Sequence, residues 1–558
     1  MRYNILIGGS AGQGMDTFSV LLEKILKRKG YYVFSNKDYM SRVRGGHNFI
    51  QIRFSTEPVY SYDDELDIII GFDQNTVNFH SDKLKENGVF LCDENVKWED
   101  NRTITIPMLK IAKEIGHARV FGTVGMGAVL KILGMSDSKV DEVFETKWEK
   151  ETSESNKEAF KRGYHYVESR FESKEGTAEN TILINGNQAI ALGAIAGGVS
   201  FYSAYPMTPS TSIMTYISSK ETEANLVVEQ AEDEIAAINM AIGASFTGVR
   251  TMTGTSGGGF SLMTEALGLA GITEIPLVVA NVQRPGPATG LPTRTEQSDL
   301  SFILTASHGE IPRMVLAVKD PEDAFYQTVR ALNIADKYQM LVIILNDQYL
   351  ADATQTVDEF NFDNLSIDRH IATASDIDLE NYKRYEVTES GITPRVILGK
   401  IEGLTVIADS DEHTEEGHIT ESSEVRIEQM QKRMKRMDLL REELIEPDYF
   451  GDEDPETLLI GWGSMYGGLR EATELLQKDG HKVGSLVFGD IYPLPTNLLE
   501  QYSKSVKTIV NVEQNYTGQL AKLIRQETGI HCEKNILKYD GRQLYAKEIY
   551  SRIKEEVL

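Results

Sequence analysis

The chain opens on a short apolar block, Ile5-Leu6-Ile7, then the run Gly8-Gly9-Ser10-Ala11-Gly12-Gln13-Gly14, then Phe18, Leu21, Leu22, Ile25 and Leu26 at helical spacing. The block predicts a strand and the spacing a helix buried along one face. Tyr31-Tyr32-Val33-Phe34 and Leu66-Asp67-Ile68-Ile69-Ile70-Gly71-Phe72 repeat the strand signal, so residues 1–172 are predicted to form an α/β unit on a parallel sheet. A polar stretch at 173–180 reads as a linker. Residues 181–365 then carry strand-like blocks at 181–184, 201–205, 226–229, 250–253, 276–281, 313–318 and 341–345, separated by glycine- and alanine-rich helices. That is the pattern of a parallel sheet covered on both faces. In 366–454 the pattern breaks into charged segments and one helix at 424–441, a connecting region that wraps other parts. From 455 to 558 a third α/β unit follows, with strands at 458–460, 483–488 and 508–513.

One helix departs from ordinary amphipathic spacing. After Val228-Glu229-Gln230-Ala231-Glu232-Asp233-Glu234 the residues Ile235 to Ala244 are almost all small or apolar. A helix without a polar face is predicted to be buried. Its acidic start then lies at the edge of a core, where a carboxyl's pKa rises and its proton can be used. The plain alternative for Glu232 and Asp233 is capping of a helix N-terminus.

At 558 residues the chain exceeds a single core and suits three or four domains. A net charge of −27 argues against nucleic acid or an anionic membrane as partner. Met1-Arg2-Tyr3-Asn4 leads straight into a strand and no apolar run is long enough to span a bilayer, so a cytoplasmic protein is expected. The only two cysteines, Cys92 and Cys532, are too far apart to hold an iron–sulfur cluster or zinc, so any cluster belongs to another chain. Asp409-Ser410-Asp411-Glu412-His413 reads as a solvated acidic loop, since no second His or Cys completes a metal set, and no metal site is expected on this chain.

Three loops leave strands of the second domain at the ends where such sheets place ligands. Tyr205-Pro206-Met207-Thr208-Pro209-Ser210 brings hydroxyls, and Thr253-Gly254-Thr255-Ser256-Gly257-Gly258-Gly259 lets a ligand approach the backbone. The segment from Arg284 to Gln297 holds arginines in a Pro/Gly backbone. With a buried carboxylate they describe a pocket for a small anionic substrate. In the first unit, the spacing G-x-x-G-x-G at 8–14 is not the dinucleotide fingerprint and serves equally as a tight turn or a phosphate cradle. Arg42 and Arg44, beside Gly45-Gly46, suit an anion or a partner's carboxylates.

These motifs together resemble the α subunit of the 2-oxoacid:ferredoxin oxidoreductases with the γ unit fused in front. Tyr-Pro-Met-Thr-Pro-Ser at 205–210 is close to the family's Tyr-Pro-Ile-Thr-Pro-Ser. The acidic helix start at 229–234, the segment 284–297 and the run Val512 to Leu520 also match, while Gly8–Gly14 and Val43-Arg44-Gly45-Gly46 resemble the γ unit. The resemblance implies several parallel-sheet α/β domains: a γ-type domain at 1–172, a thiamin-diphosphate pyrimidine-binding fold at 181–365 and a transketolase C-terminal-like domain at 455–558. It implies oxidative decarboxylation of a 2-oxoacid with coenzyme A to acyl-CoA, carbon dioxide and reduced ferredoxin. Thiamin diphosphate is then shared with a β subunit that holds the diphosphate, Mg²⁺ and a [4Fe-4S] cluster and passes electrons to ferredoxin, in an (αβ)₂ assembly. The chain alone is expected to be inactive.

The family's pattern places the glutamate that hydrogen-bonds the aminopyrimidine ring nine residues before a small glycine, which selects Glu234 before Gly243, with Glu232 as the rival. Arg284, Thr208 and Thr293 are the implied substrate contacts. Tyr205, Pro206, Ser256 and Gly257 are the implied cofactor contacts. Gly12, Gly14, Arg42 and Arg44 are assigned to coenzyme A or an interface. Substrates of the two-subunit enzymes point to 2-oxoglutarate or a broad set of 2-oxoacids, with Arg294 or a partner lysine available to a second carboxylate. The competing readings are a component of a non-oxidative thiamin-diphosphate decarboxylase or synthase, and a non-catalytic nucleotide-binding-like regulatory subunit.

Overall fold

The computed structural model of the chain describes residues 1–41 and 46–558. It divides into two units. Met1–Asn185 joins Asp352–Glu359 and Tyr545–Lys547, and Gly186–Ala351 joins Phe360–Leu544 and Glu548–Leu558.

In the first unit, Arg2–Gly9, Leu66–Gly71, Leu84–Asp93 and Thr103–Ile106 form a parallel half-sheet. On the other side of Arg2–Gly9 the sheet runs antiparallel through Asn48–Ser55, Tyr32–Asp38, Thr354–Asp358 and Thr181–Asn185. The expected parallel sheet is therefore mixed. Tyr32–Asp38 returns directly along Asn48–Ser55, and an antiparallel neighbour needs no helical crossover. The block at 181–184, expected in the second domain, completes the edge of this first sheet because Thr354–Asp358 pairs with it residue for residue. The helix Met15–Arg28 packs Phe18, Leu21, Leu22, Ile25 and Leu26 into the core.

The same helix buries one charge. Glu23 is 4% exposed with Oε1 unpaired, and burial pushes its carboxyl up to about 7. The native state thus keeps a proton that an unfolded carboxyl releases above its ordinary value of 4.5, so this group lowers stability as pH rises from there to about 7. Glu23→Gln, which cannot ionise, is expected to match the parent at pH 5. At pH 8 it should exceed it by on the order of 2–3 kcal/mol. Thermal or denaturant unfolding at the two pH values reads this directly, and an equal gain at both would refute it.

The second unit has two sheets. Arg313–Ala317, Leu341–Asp347, Leu277–Gln283, Thr251–Thr255, Phe201–Ala204 and Val227–Gln230 lie side by side in that order, all parallel. Asp490–Tyr492 closes one edge antiparallel to Arg313–Ala317. The five-stranded sheet runs Asp448–Gly451, Val483–Phe488, Thr457–Trp462, Thr508–Glu513, Lys534–Leu537, with only its first strand antiparallel. One core joins the two sheets: Phe260, Leu277, Ile343 and Leu345 share a cluster with Leu458, Trp462, Phe488 and Leu520.

The connecting region is held by charge. The helix Ser423–Arg441 buries Gln429, Lys432, Arg433 and Arg436. The Lys432 ammonium bonds both oxygens of Glu274 at 2.9 and 3.0 Å, and Arg436 donates to Glu274 and to the carbonyls of Gly391, Tyr338 and Gln339. Burial alone would raise the Glu274 carboxyl, but Arg436, Lys432 and Arg384 outweigh it and hold it below the carboxylate range.

The helix Glu234–Phe246 buries Glu234, Ala237, Ile238, Ala241, Ile242 and Ser245, but it is not enclosed as expected. Ile235 is 50% and Met240 42% exposed, because the sheet covers only one side of it.

Candidate active site

The site is built at the carboxyl ends of three adjacent parallel strands of the second unit, Phe201–Ala204, Thr251–Thr255 and Leu277–Gln283. Asp233 is extended, and its Oδ1 accepts from the Ala236 amide at 2.8 Å, an N-cap that starts the helix one residue later. Capping thus explains Asp233 and leaves Glu234 as the first helical residue, turned inward. Glu234 is 3% exposed and its Oε1 has no partner, whereas Glu232 is exposed. Burial raises the Glu234 carboxyl above its ordinary value, with Asp233 adding and the Arg284 charge opposing.

The glycine run gives that carboxyl its room. A Cβ on Gly259 would lie 2.7 Å from Glu234 Cδ, so no side chain fits where the helix Gly257–Ile272 meets it. Ser256 stands at the start of that helix, fully buried, with its Oγ unpaired. Thr253 Oγ1 and Asn281 Oδ1, on the neighbouring strands, are likewise buried and unpaired. Buried polar atoms normally find partners, so this group of orphans marks a place that a polar ring with donors and acceptors would satisfy.

Arg284 follows the strand Leu277–Gln283. Its Nη1 donates to the Thr208 carbonyl at 2.5 Å, which ties the 284–297 loop to the 205–210 loop. Asn187 fixes the latter from behind. Its side-chain amide donates to the Pro209 carbonyl and to Ser212 Oγ, both at 2.8 Å, and its own oxygen accepts from Asn346. Thr208 and Tyr205 are exposed at the mouth, Pro206 and Gly257 are half-buried, and Thr293 is buried within the Pro/Gly loop. The far end of that loop is pinned by Gln297, which donates to the Trp462 and Gln514 carbonyls and accepts from the Gln514 amide. Asn187 lies outside the quoted motifs, and Gln297 and Gln514, though inside the matching segments, carry no assigned role there, because amide side chains give no periodic signal. Their signal in the chain is polarity at otherwise apolar or loop-junction positions.

Gly12 and Gly14 lie in the first unit. They are exposed and line a cavity of about 830 Å³ together with Arg119, Trp148 and Asn156. Gly14 is left-handed at the start of Met15–Arg28, and no side chain caps that helix. Arg42 and Arg44 lie outside the described residues.

The fold is that of an α/β protein with parallel-rich sheets whose candidate site lies at the carboxyl ends of adjacent parallel strands. Residues 192–432 match the family model described as pyruvate flavodoxin/ferredoxin oxidoreductase, thiamine diP-binding. Residues 4–166 match pyruvate ferredoxin/flavodoxin oxidoreductase, and 455–549 match pyruvate:ferredoxin oxidoreductase core domain II. The chain is 35% identical to the 2-oxoacid:ferredoxin oxidoreductase subunit alpha of Sulfolobus sp, over 98% of this chain and 96% of that protein. It is 32% identical to the protein of the same name from Saccharolobus solfataricus, over 100% and 98%. A solved 2-oxoglutarate:ferredoxin oxidoreductase from Magnetococcus marinus, with 2-oxoglutarate, coenzyme A and succinyl-CoA bound, superposes with a TM-score of 0.93 at 32% identity over the full length of both chains. The chain therefore belongs to the 2-oxoacid:ferredoxin oxidoreductase family, as an α subunit.

Proposed function

We propose that this chain supplies the pyrimidine half of a thiamin-diphosphate site in an enzyme that converts a 2-oxoacid and coenzyme A to acyl-CoA and carbon dioxide and reduces ferredoxin. The observation that carries the reading is the buried, unpartnered oxygen of Glu234 facing a glycine cradle, with the Arg284 clamp in electrostatic reach. Thiamin diphosphate, when bound, supplies the capacity to hold the electron pair left by decarboxylation. The chain's own residues do the rest. Glu234 would hold a proton for the aminopyrimidine ring of the bound cofactor, because burial favours its protonated form. Tyr205, Pro206, Ser256 and Gly257 shape the wall against the ring. Arg284, Thr208 and Thr293 hold the substrate carboxylate and fix the keto carbon.

In this reading the diphosphate, Mg²⁺ and a [4Fe-4S] cluster sit on a β subunit, which also meets ferredoxin, and two αβ pairs assemble by symmetry. The exposed apolar side chains Val227, Ile235, Met240 and Leu262 of the second unit are the surface assigned to that subunit. Gly12 and Gly14, whose cavity joins uncapped helix amides to Arg119 and an indole, are assigned to coenzyme A or an interface, as are Arg42 and Arg44, which lie outside the described residues. The substrate is 2-oxoglutarate or a broad set of 2-oxoacids, and the enzyme works in the cytoplasm. Among the described residues no helix is long and apolar enough to cross a membrane.

The test is reconstitution with the partner subunit. Viologen reduction should require both chains, a 2-oxoacid and coenzyme A, and a panel of pyruvate, 2-oxoglutarate and branched 2-oxoacids ranks the substrates. Decarboxylation without reduction of the acceptor would favour the non-oxidative alternative.

A further inference from the structure

The connecting region gathers more positive charge than it balances. The Asp336 carboxylate accepts from Arg250 Nε at 2.8 Å, Arg369 Nε at 2.9 Å and Arg395 Nη2 at 2.7 Å. Glu274 is held by Lys432 and Arg436, and a third cation, Arg384, lies 3.9 Å from its Oε2. Among the described residues, six cations thus lie on two buried carboxylates, and all but Arg369 are themselves buried. Asp368, the other acid that acts on Arg250, is exposed to solvent. Taking an ion out of water is costly unless opposite charge meets it. Burial pushes Arg395 and Lys432 below their ordinary values; the two carboxylates oppose the shift and the neighbouring arginines add to it.

Two of these arginines meet at a small cavity. Arg384 and Arg395 line it with Phe246, Ile275, Val396 and Leu398, and its volume is about 10 Å³, room for about one water-sized particle. Arg384 Nη2 donates to the Glu274 carbonyl at 2.8 Å, and Arg395 Nη1 donates to the Ser245 carbonyl at 3.3 Å. Arg384 Nη1 and Arg395 Nε are buried without a hydrogen-bond partner among the described residues. The one side-chain hydroxyl in the wall, Ser245 Oγ, already donates to the Pro276 carbonyl at 2.6 Å. The side chains around the cavity therefore offer donors on two cations and otherwise apolar surface. A water there would accept from both arginines and find only the Ser245 oxygen among side chains for its own hydrogens. The small volume favours a single atom over a polyatomic anion.

We propose that this cavity binds a monatomic halide, chloride being the common one, between Arg384 and Arg395, where it compensates the cations that Glu274 and Asp336 leave in excess. The ion ties the segment bearing both arginines to the end of the helix Glu234–Phe246, through Ser245 and Phe246 in the wall. It also meets Ile275 and Pro276, next to the glutamate that anchors the helix Ser423–Arg441. Its effect is on local opening of the connecting region, and it takes no part in turnover.

The test uses the assembled complex. Crystals grown in bromide instead of chloride, measured at the bromine absorption edge, should show one anomalous peak per chain between Arg384 and Arg395. Amide exchange of residues 384–398 should slow as chloride replaces gluconate at constant ionic strength, toward about tenfold for each tenfold rise above the dissociation constant. Sulfate in place of chloride should give no such slowing. Arg384→Met keeps an aliphatic stem, removes one donor and one cation, and should abolish the chloride response. An arginine that only packs over Tyr385 would alter stability on substitution and leave the response intact. The bromide peak in the parent keeps the site testable if the variant misfolds. Density without an anomalous peak marks a water and overturns the proposal. So does a peak accompanied by exchange that ignores chloride up to about 0.15 M, which is binding at crystal concentration only.

Discussion

Glu234→Ala in the reconstituted complex is expected to lower kcat by ~10²–10⁴-fold, the range for loss of a positioned proton-transfer group. The effect should fall on kcat, because Glu234 is buried beneath the site and the proposed substrate clamp, Arg284, lies on another loop. Glu234→Gln is the sharper probe. It preserves shape and volume and removes only the ionisable proton, so a comparable loss would locate the effect in acid–base function rather than packing. Glu232→Gln is the control, since that side chain faces outward. Assembly with the partner, followed by gel filtration, should be the same for all three. Turnover that survives Glu234→Gln intact would end the assignment.

The second large effect is at Arg284. Arg284→Ala should reduce kcat/KM for a 2-oxoacid by about 10²–10³-fold, or about 3–4 kcal/mol of transition-state stabilisation. Two functions are lost together: the charge that meets the carboxylate, and the 2.5 Å bond that holds the Thr208 carbonyl. Arg284→Lys restores the first without the fork geometry of the second and should recover only part of the activity. Steady-state kinetics on the complex separates these outcomes, and an alanine variant with parental kcat/KM would remove Arg284 from the site.

Much of this arrangement is readable in the chain. The strand-then-acid-then-small-residue run at 228–244 announces both the helix and its inward carboxyl. The choice of Glu234 over Glu232, which sequence left between rivals, follows from the fact that only one of them points into the core. The hydroxyl and Pro/Gly loops at 205–210 and 284–297 are equally visible, because their residue types are expensive anywhere but at a turn or a site. What sequence does not reveal is pairing at a distance. The block at 181–184 has the composition of a strand, but composition does not say which sheet it joins, and its partner arrives only at Thr354–Asp358. The helix Ser423–Arg441 reads only as part of a connecting region, and nothing in its sequence announces that Lys432 and Arg436 are fully buried on a glutamate 158 and 162 residues away. The exposed side of Glu234–Phe246 is the converse case, an apolar face that this chain alone leaves open.

The short strand Asp490–Tyr492 carries a consequence for how such a gene can be divided. It departs from the last α/β segment to finish the edge of the sheet whose central strands bear the site. A break in the exposed turn at 478–482 leaves two pieces that still share a hydrogen-bonded ladder and one hydrophobic interior. Natural fission or a protease nick there preserves the pocket's scaffold, whereas deleting the tail uncovers a bare β-edge and half of a core.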